Sequence, residues 1–175
     1  MTKINIILTT LLVCFVISSV LYIKHQAIYN NKPITFPFFV STRYHTTNLR
    51  TGPSTNYPIV FTYHAINYPL KVIDKHDNWY NVKDVNGKTG WVSSLLTKTK
   101  KTALIIQSNT KIHAANNPSS KVIAIIDKNN IVAIQKCSTS SMLCEVSIEV
   151  PKRNLTLKGW LYRANIWGAG IDSPD

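Results

Sequence analysis

Asn48-Leu-Arg-Thr-Gly-Pro-Ser54, Asp77-Asn-Trp-Tyr-Asn-Val82 and Asn86-Gly-Lys-Thr-Gly-Trp-Val92 belong to one stretch, and their reading decides the fold. The first segment is a strand end running into a turn, because Gly52-Pro53 punctuates the backbone. The second is a short alternating strand carrying two adjacent aromatics, Trp79 and Tyr80. The third reads as a hairpin, with Asn86-Gly87 at the two positive-φ positions of a type I′ turn. Three such signals so close together predict a small, strongly bent β-barrel, with strands over 44–50, 58–64, 69–75, 78–83 and 89–93 and a short 3₁₀ turn at Ser93-Ser-Leu-Leu96.

Working outward, the chain has 175 residues, enough for one medium domain or two small ones. Its apolar residues are rich in β-branched types, as in Lys121-Val-Ile-Ala-Ile-Ile126, which favours strands. The net charge is +12 and uneven: residues 98–168 hold eleven basic and three acidic residues, whereas 44–97 hold five and three. A basic surface serves solubility or attraction to a polyanion.

Ile4 to Ile23 is an apolar run between Lys3 and Lys24, the length of one membrane-spanning helix and also of a long secretory signal. Residues 1–23 are therefore a signal peptide or membrane anchor, and the chain is expected to be exported to the periplasm or cell envelope, with the inner membrane as a possible tether. Residues 24–43 read as a linker with an apolar cluster, Phe36-Pro-Phe-Phe-Val40, that either packs on the next domain or lies at a membrane interface. The first barrel occupies 44–97, and Lys98-Thr-Lys-Lys101 opens a basic linker, 98–103.

Then the pattern returns. Leu49 falls on Ile112, Arg50 on His113, Gly52 on Ala115 and Ile59-Val60 on Val122-Ile123 at a constant offset; Trp79 corresponds to Leu143, Tyr80 to Cys144, and Gly90-Trp91-Val92 to Gly159-Trp160-Leu161. Internal repetition of this kind predicts an all-β chain of two tandem small β-barrels of one type, the second spanning 104–168 and followed by a tail, 169–175. The second copy lacks the Gly-Pro turn and the paired aromatics.

The three opening segments resemble the bacterial SH3-like domain in spacing and order. The second copy is similar to the partner domain of a two-repeat subgroup of exported proteins, through Cys137-Ser-Thr-Ser-Ser-Met-Leu-Cys144, Gly159-Trp-Leu161 and Ile166-Trp-Gly168, with Leu143 where that subgroup has Trp. The resemblance covers about residues 44–168. It implies two tandem small SH3-like β-barrels, compact and without chemistry of their own, that bind peptidoglycan or its peptides, or tether and regulate envelope proteins.

Cys137 and Cys144 flank a Ser/Thr-rich loop, and across a hairpin that spacing allows a Cα separation near the usual disulfide value of about 5.5 Å; an oxidising compartment would pair them. The histidines at 25, 45, 64, 76 and 113 have no metal-like spacing, and the scattered carboxylates offer no acid/base pair. No metal, cofactor or catalytic residue is expected. The candidate ligand-binding residues are Arg50, Tyr57, Trp79, Tyr80 and Trp91, since aromatic rings beside loops give large contact area at low entropy cost. Trp79 belongs on the open side of its strand, opposite Val82. Arg50 either meets a ligand carboxylate or braces the turn at Gly52-Pro53.

A non-catalytic envelope-binding module fits these features best, with peptidoglycan peptides or a peptide segment of an envelope protein as partner. The alternative is a periplasmic adaptor or inhibitor that docks through the basic second barrel, through Lys152, Arg153 and Lys158. A wall hydrolase would need a separate catalytic domain. Nucleic acid suits the charge but not the N-terminal segment.

Overall fold

The computed structural model describes residues 2–30, 34–138, 140–150 and 154–168. The expected tail, 169–175, and two of the basic residues assigned to the docking alternative, Lys152 and Arg153, lie outside the described residues.

The chain divides into Met1–Thr35 and Phe36–Asp175. The first unit contains the helix α1 (Thr2–Asn30). The helix's side chains are described over residues 11–25. Among the described residues no helix is long and apolar enough to cross a membrane.

The second unit holds two seven-stranded sheets. The first contains β1 (Phe38–Thr42), β2 (Thr47–Arg50), β3 (Ile59–Tyr63), β4 (Pro69–His76), β5 (Trp79–Lys83), β6 (Thr89–Ser93) and β7 (Thr97–Lys98). The second contains β8 (Thr102–Ile105), β9 (Thr110–His113), β10 (Val122–Ile126), β11 (Ile131–Lys136), β12 (Leu143–Val150), β13 (Leu155–Tyr162) and β14 (Ile166–Gly168). The strand orders, β3-β2-β6-β5-β4-β1-β7 and β10-β9-β13-β12-β11-β8-β14, are the same topology twice, and every pairing is antiparallel.

Register repeats as well as order. Leu49 faces Phe61 and Ile112 faces Ala124; Val82 faces Gly90 and Val146 faces Gly159; Arg50 faces Trp91 and His113 faces Trp160. Even the irregularities recur. A bulge leaves Val60 unpaired in β3 and Ile123 in β10, and another leaves Ile73 unpaired in β4 and Gln135 in β11. Bulges sharpen the local twist, which bends a short sheet around its core.

Each sheet closes on its own core. The first is Val40, Leu49, Tyr63, Leu70, Val72, Val82 and Val92. The second includes Ala103, Ile112, Val132, Ile134, Val146 and Leu161, the topological counterparts of Val40, Leu49, Leu70, Val72, Val82 and Val92.

Two segments read as linkers carry strand residues. Phe38–Thr42 is β1, inserted between β4 and β7. Pro37 and the aromatic run mask the strand in the sequence, yet Phe38 packs against the core and meets Tyr80 edge-on at 5.6 Å, while Phe39 meets Trp167 edge-on at 5.1 Å. The apolar cluster thus packs on the barrels. In the basic segment, Lys98 ends β7 and Thr102 begins β8. The remaining first-barrel strands fall within a few residues of their expected places.

The Asn86-Gly87 hairpin is also not the expected type I′ turn. Only Gly87 has positive φ, +80°. The Gly87 N–H donates to Asp84 O at 3.0 Å, and the Asp84 carboxylate accepts the N–H groups of Asn86 and Lys88, both at 2.9 Å. A side chain that satisfies two turn donors holds the loop in that alternative geometry.

The two barrels share a polar seam. Ser41 Oγ donates to Lys100 O, Thr102 Oγ1 donates to Asn67 O at 2.8 Å, and the two hydroxyls meet at 2.8 Å.

Candidate ligand-binding face

The outer face of the first barrel is built by register. Arg50 of β2 lies opposite Trp91 of β6, Trp91 opposite Asn81 of β5, and Asn81 opposite Asp74 of β4. Trp79 lies two residues from Asn81, and side chains two apart share a face. Trp79 faces His76 across the β4–β5 pair, and the His76 ring stands edge-on to Trp91 with centroids 6.5 Å apart. Both tryptophans are half-buried. Beside Trp91 a groove of about 440 Å³ runs between Thr51, Val60, Asn81 and Lys88.

The turn at the end of β2 borders this face. Arg50 Nη1 donates to Thr55 O at 3.0 Å and to Tyr57 O at 2.7 Å. The guanidinium therefore braces the turn, the second of its two expected roles. Tyr57, 46% exposed, lays its ring over Gly52. A Cβ on Gly52 would fall 2.6 Å from the ring carbons, so only glycine permits this approach.

Structure brings Arg50, Trp79 and Trp91 to one face and sets Tyr57 at its margin. It does not bring Tyr80 there. Tyr80 points to the opposite side of β5, toward Val92 in register, and packs against the core beside Phe38. The alternation of the strand already places Tyr80 with Val82.

Three further residues line the groove, Val60, Asn81 and Lys88, and they differ in how far the sequence marks them. Val60 is the bulge residue, 50% exposed, and no local signal marks the bulge. Asn81 follows from alternation with Trp79. Lys88 depends on the turn: Asp84 fixes its N–H, and its Nζ sits 4.4 Å from the Phe61 ring centroid, a cation–π contact. Asp84 is itself buried and accepts from Tyr63 Oη at 3.3 Å. Burial first, then the Asp84 charge, pushes the Tyr63 phenol well above its ordinary range. The same two causes push Tyr68, stacked on Tyr63 with centroids 5.0 Å apart, up to about 12.

The second barrel does not reproduce this face. Leu143, the counterpart of Trp79, is 2% exposed. Its β12 neighbour two residues on is Glu145, opposite Trp160. His113 takes the place of Arg50 and is buried, its Nδ1 3.2 Å from Ser120 O in the corresponding turn. Cys144, in the place of Tyr80, is bonded to Cys137 with a Cα separation of 4.5 Å. His45 and His64 approach with ring centroids 6.3 Å apart, and among the described residues no group of three or more His, Cys, Asp or Glu could hold a metal.

Comparison with known proteins gives one family. Residues 43–98 match the bacterial SH3 domain. Among solved structures the chain is similar to NlpC2 from Trichomonas vaginalis, at 10% identity and a TM-score of 0.33, over 82% of this chain and 53% of that one. It is similar also to NlpC1 from the same organism, at 10% identity and a TM-score of 0.32, over 83% of this chain and 51% of that one. The chain thus spans about half the length of these two structures. No curated protein matches it.

Proposed function

The chain carries a bacterial SH3 domain at residues 43–98, and on that footing we propose that it is a non-catalytic binding module of the cell envelope. Its ligand is an extended peptide, either a peptidoglycan stem peptide or a segment of an envelope protein, seated on the outer face of the first barrel. Bacterial SH3 domains usually occur in exported proteins, and the apolar run Ile4–Ile23 supplies the export signal in this reading. Among the described residues nothing supports its use as a membrane anchor.

The observation that carries the proposal is the groove beside Trp91. It offers an indole face, the exposed apolar bulge residue Val60, the Asn81 amide and the Lys88 ammonium within one concavity. An apolar floor with a few polar groups along its edge is how peptide and small-ligand sites combine affinity with orientation. Trp and Tyr rings are also the side chains that most often dominate such contacts.

Cosedimentation of the full chain with purified sacculi tests the wall version. Trp91→Ala should reduce retention at least about tenfold, in line with loss of an aromatic anchor, while Trp160→Ala on the second barrel leaves it unchanged. Equal retention of both variants, or no retention of the parent chain, refutes binding of the wall through this face. In the second case crosslinking from a photoreactive residue at Thr89 decides whether a protein segment occupies the groove instead.

A further inference from the structure

A second concavity lies at the seam between the barrels, on surfaces that the groove beside Trp91 does not share. Its volume is about 200 Å³. Ile66 and Asn67 of the first barrel form one wall, β11 and β12 contribute Ile131, Ser147 and Glu149 to the other, and Lys100 of the connecting segment stands between them.

Its polar groups are incompletely used. Asn67 Oδ1 is buried and has no hydrogen-bond partner among the described residues. The backbone of the residue is pinned at the seam, so turning the side-chain amide toward the concavity is what brings this oxygen to a donor. Its N–H donates to Thr42 O at 3.0 Å, its carbonyl accepts from Thr102 Oγ1 at 2.8 Å, and its φ is +67°. A buried acceptor held without a partner calls for a donor. Ser147 Oγ accepts from Gln135 Nε2 at 2.8 Å, which leaves the hydroxyl proton to donate.

Two opposite charges stand at the mouth. Lys100 Nζ and Glu149 Oε1 are 3.9 Å apart, with side chains 41% and 77% exposed. That distance is too long for a hydrogen bond, and an ion pair this loose and wet contributes little. A guest with both charges can therefore replace one weak pair by two short ones at small cost. The surrounding field is positive on the Lys100 side: burial, then Lys100, then Arg43 lower the Lys98 ammonium, with Glu149 opposing.

We infer that this seam concavity binds a zwitterionic α-amino acid head group. The ammonium donates to Asn67 Oδ1 and to the Glu149 carboxylate; the carboxylate accepts from Lys100 Nζ and Ser147 Oγ; a small side chain lies between Ile66 and Ile131. The size of the space admits a glycine- or alanine-sized head and not a long peptide. The same head group is found on free amino acids and at the end of a diamino-acid side chain in a peptide.

Isothermal titration of the full chain with glycine, L-alanine and D-alanine tests this directly. Saturable binding of one or more of them is expected, with acetate and methylammonium, each carrying half of the head group, binding at least tenfold more weakly. A tripeptide ending in diaminopimelate, titrated into the Trp91→Ala variant so that the groove of the first barrel does not contribute, separates the two sources by which binds more tightly. Asn67→Gly keeps the positive φ and removes the amide, and Glu149→Gln and Lys100→Met change solvent-exposed positions; each should weaken binding at least fivefold, while Trp91→Ala leaves it unchanged. Three results overturn the inference: no saturable binding of any head-group probe, acetate binding as well as alanine, or unaltered binding in all three seam variants. Because Trp91→Ala separates the two sites, this outcome is independent of the wall-binding test.

Discussion

Replacing Asp84 should show what holds the hairpin that presents Lys88. Asp84 is 3% exposed, and its carboxylate accepts from the Asn86 N–H and Lys88 N–H at 2.9 Å each and from Tyr63 Oη at 3.3 Å. Hydrogen bonds to an ionised group contribute about 1.5–3 kcal/mol each. Asn86 and Lys88 are exposed, so water replaces the lost acceptor at their N–H groups and cuts the cost of each to about 1 kcal/mol. The Tyr63 hydroxyl is buried and stays unpaired, which costs about 1–2 kcal/mol more. Asp84→Ala should therefore destabilise the first barrel by about 3–4 kcal/mol, the sum of these terms. With a urea m-value of about 1–3 kcal/mol/M, the midpoint falls by about 1–4 M. Asp84→Asn keeps an oxygen for the two turn donors and can meet Tyr63 with its amide, so its cost should stay near 1 kcal/mol. Tyrosine and tryptophan fluorescence during urea unfolding of the full chain reads both. If Asp84→Ala unfolds within about 0.5 kcal/mol of the parent, the scatter of ordinary surface substitutions, the turn does not depend on this carboxylate. If Asp84→Asn is as damaging as Asp84→Ala, the charge and not the acceptor geometry carries the effect.

Three further outcomes follow from the same physical picture. Tyr63 and Tyr68 both have folded-state values raised by burial and by Asp84, so their contribution is intact below the ordinary phenol value near 10 and is lost as pH climbs through the raised ones; urea midpoints should be flat up to about pH 10 and fall steeply toward pH 12, a fall that Tyr68→Phe makes shallower. Cys137 and Cys144 are seven positions apart, so they close an eight-residue loop, and their reduction or replacement by serine should cost about 2–3 kcal/mol on the chain-entropy estimate, read as a lowered melting transition in the presence of dithiothreitol. Gly52→Ala places a Cβ 2.6 Å from the Tyr57 ring and must displace it; the ring is half exposed and free to swing, so stability should fall by only about 1 kcal/mol while sacculus retention drops if the turn margin belongs to the site, and an unchanged retention removes Tyr57 from it.

Most of the fold was legible in the residues because its signals are local. Gly52-Pro53, Trp79-Tyr80 and Gly90-Trp91-Val92 each fix a turn or a strand with its facing, and the offset from Leu49 to Ile112 extends that reading to the second copy. What stayed hidden was set by distant partners. β1 is a run of aromatics after a proline, and only its pairing with β4 and β7 makes it a strand. The Asn86-Gly87 pair has the composition of a type I′ turn, but a side chain two residues earlier, Asp84, redirects it. The candidate face was partly legible for the same reason. Alternation along β5 gives Trp79 and Asn81, whereas Val60 reaches the groove only through a bulge and Lys88 only through the turn. Tyr80 is the reverse case, an aromatic chosen for its type that the strand's own period places on the core side.

The repeated register shows how two barrels of one topology come to differ in surface. Substitution has spared the positions that bend the sheet: the bulges at Val60 and Ile123, and Gly90 and Gly159, where an added Cβ would meet the backbone carbonyl of Arg50 or His113 at 2.8 Å in either copy. It falls on positions that topology does not need. A guanidinium able to make two turn contacts becomes a buried imidazole making one, an indole on the open face becomes the buried Leu143, and the aromatic plug Tyr80 becomes half of a disulfide. The first two changes take partly exposed cationic and aromatic surface from the second barrel, and the third exchanges a core-side ring for a covalent bond, so internal anchoring stands in place of an open face. The barrel that gives up its open face is also the one whose β11 and β12 wall the seam concavity. A single domain offers a ligand one curved sheet; two fused at a polar seam offer a cleft between sheets, and Asn67 Oδ1, buried without a partner on the first barrel's side of that cleft, marks where the fusion leaves a hydrogen bond to be made.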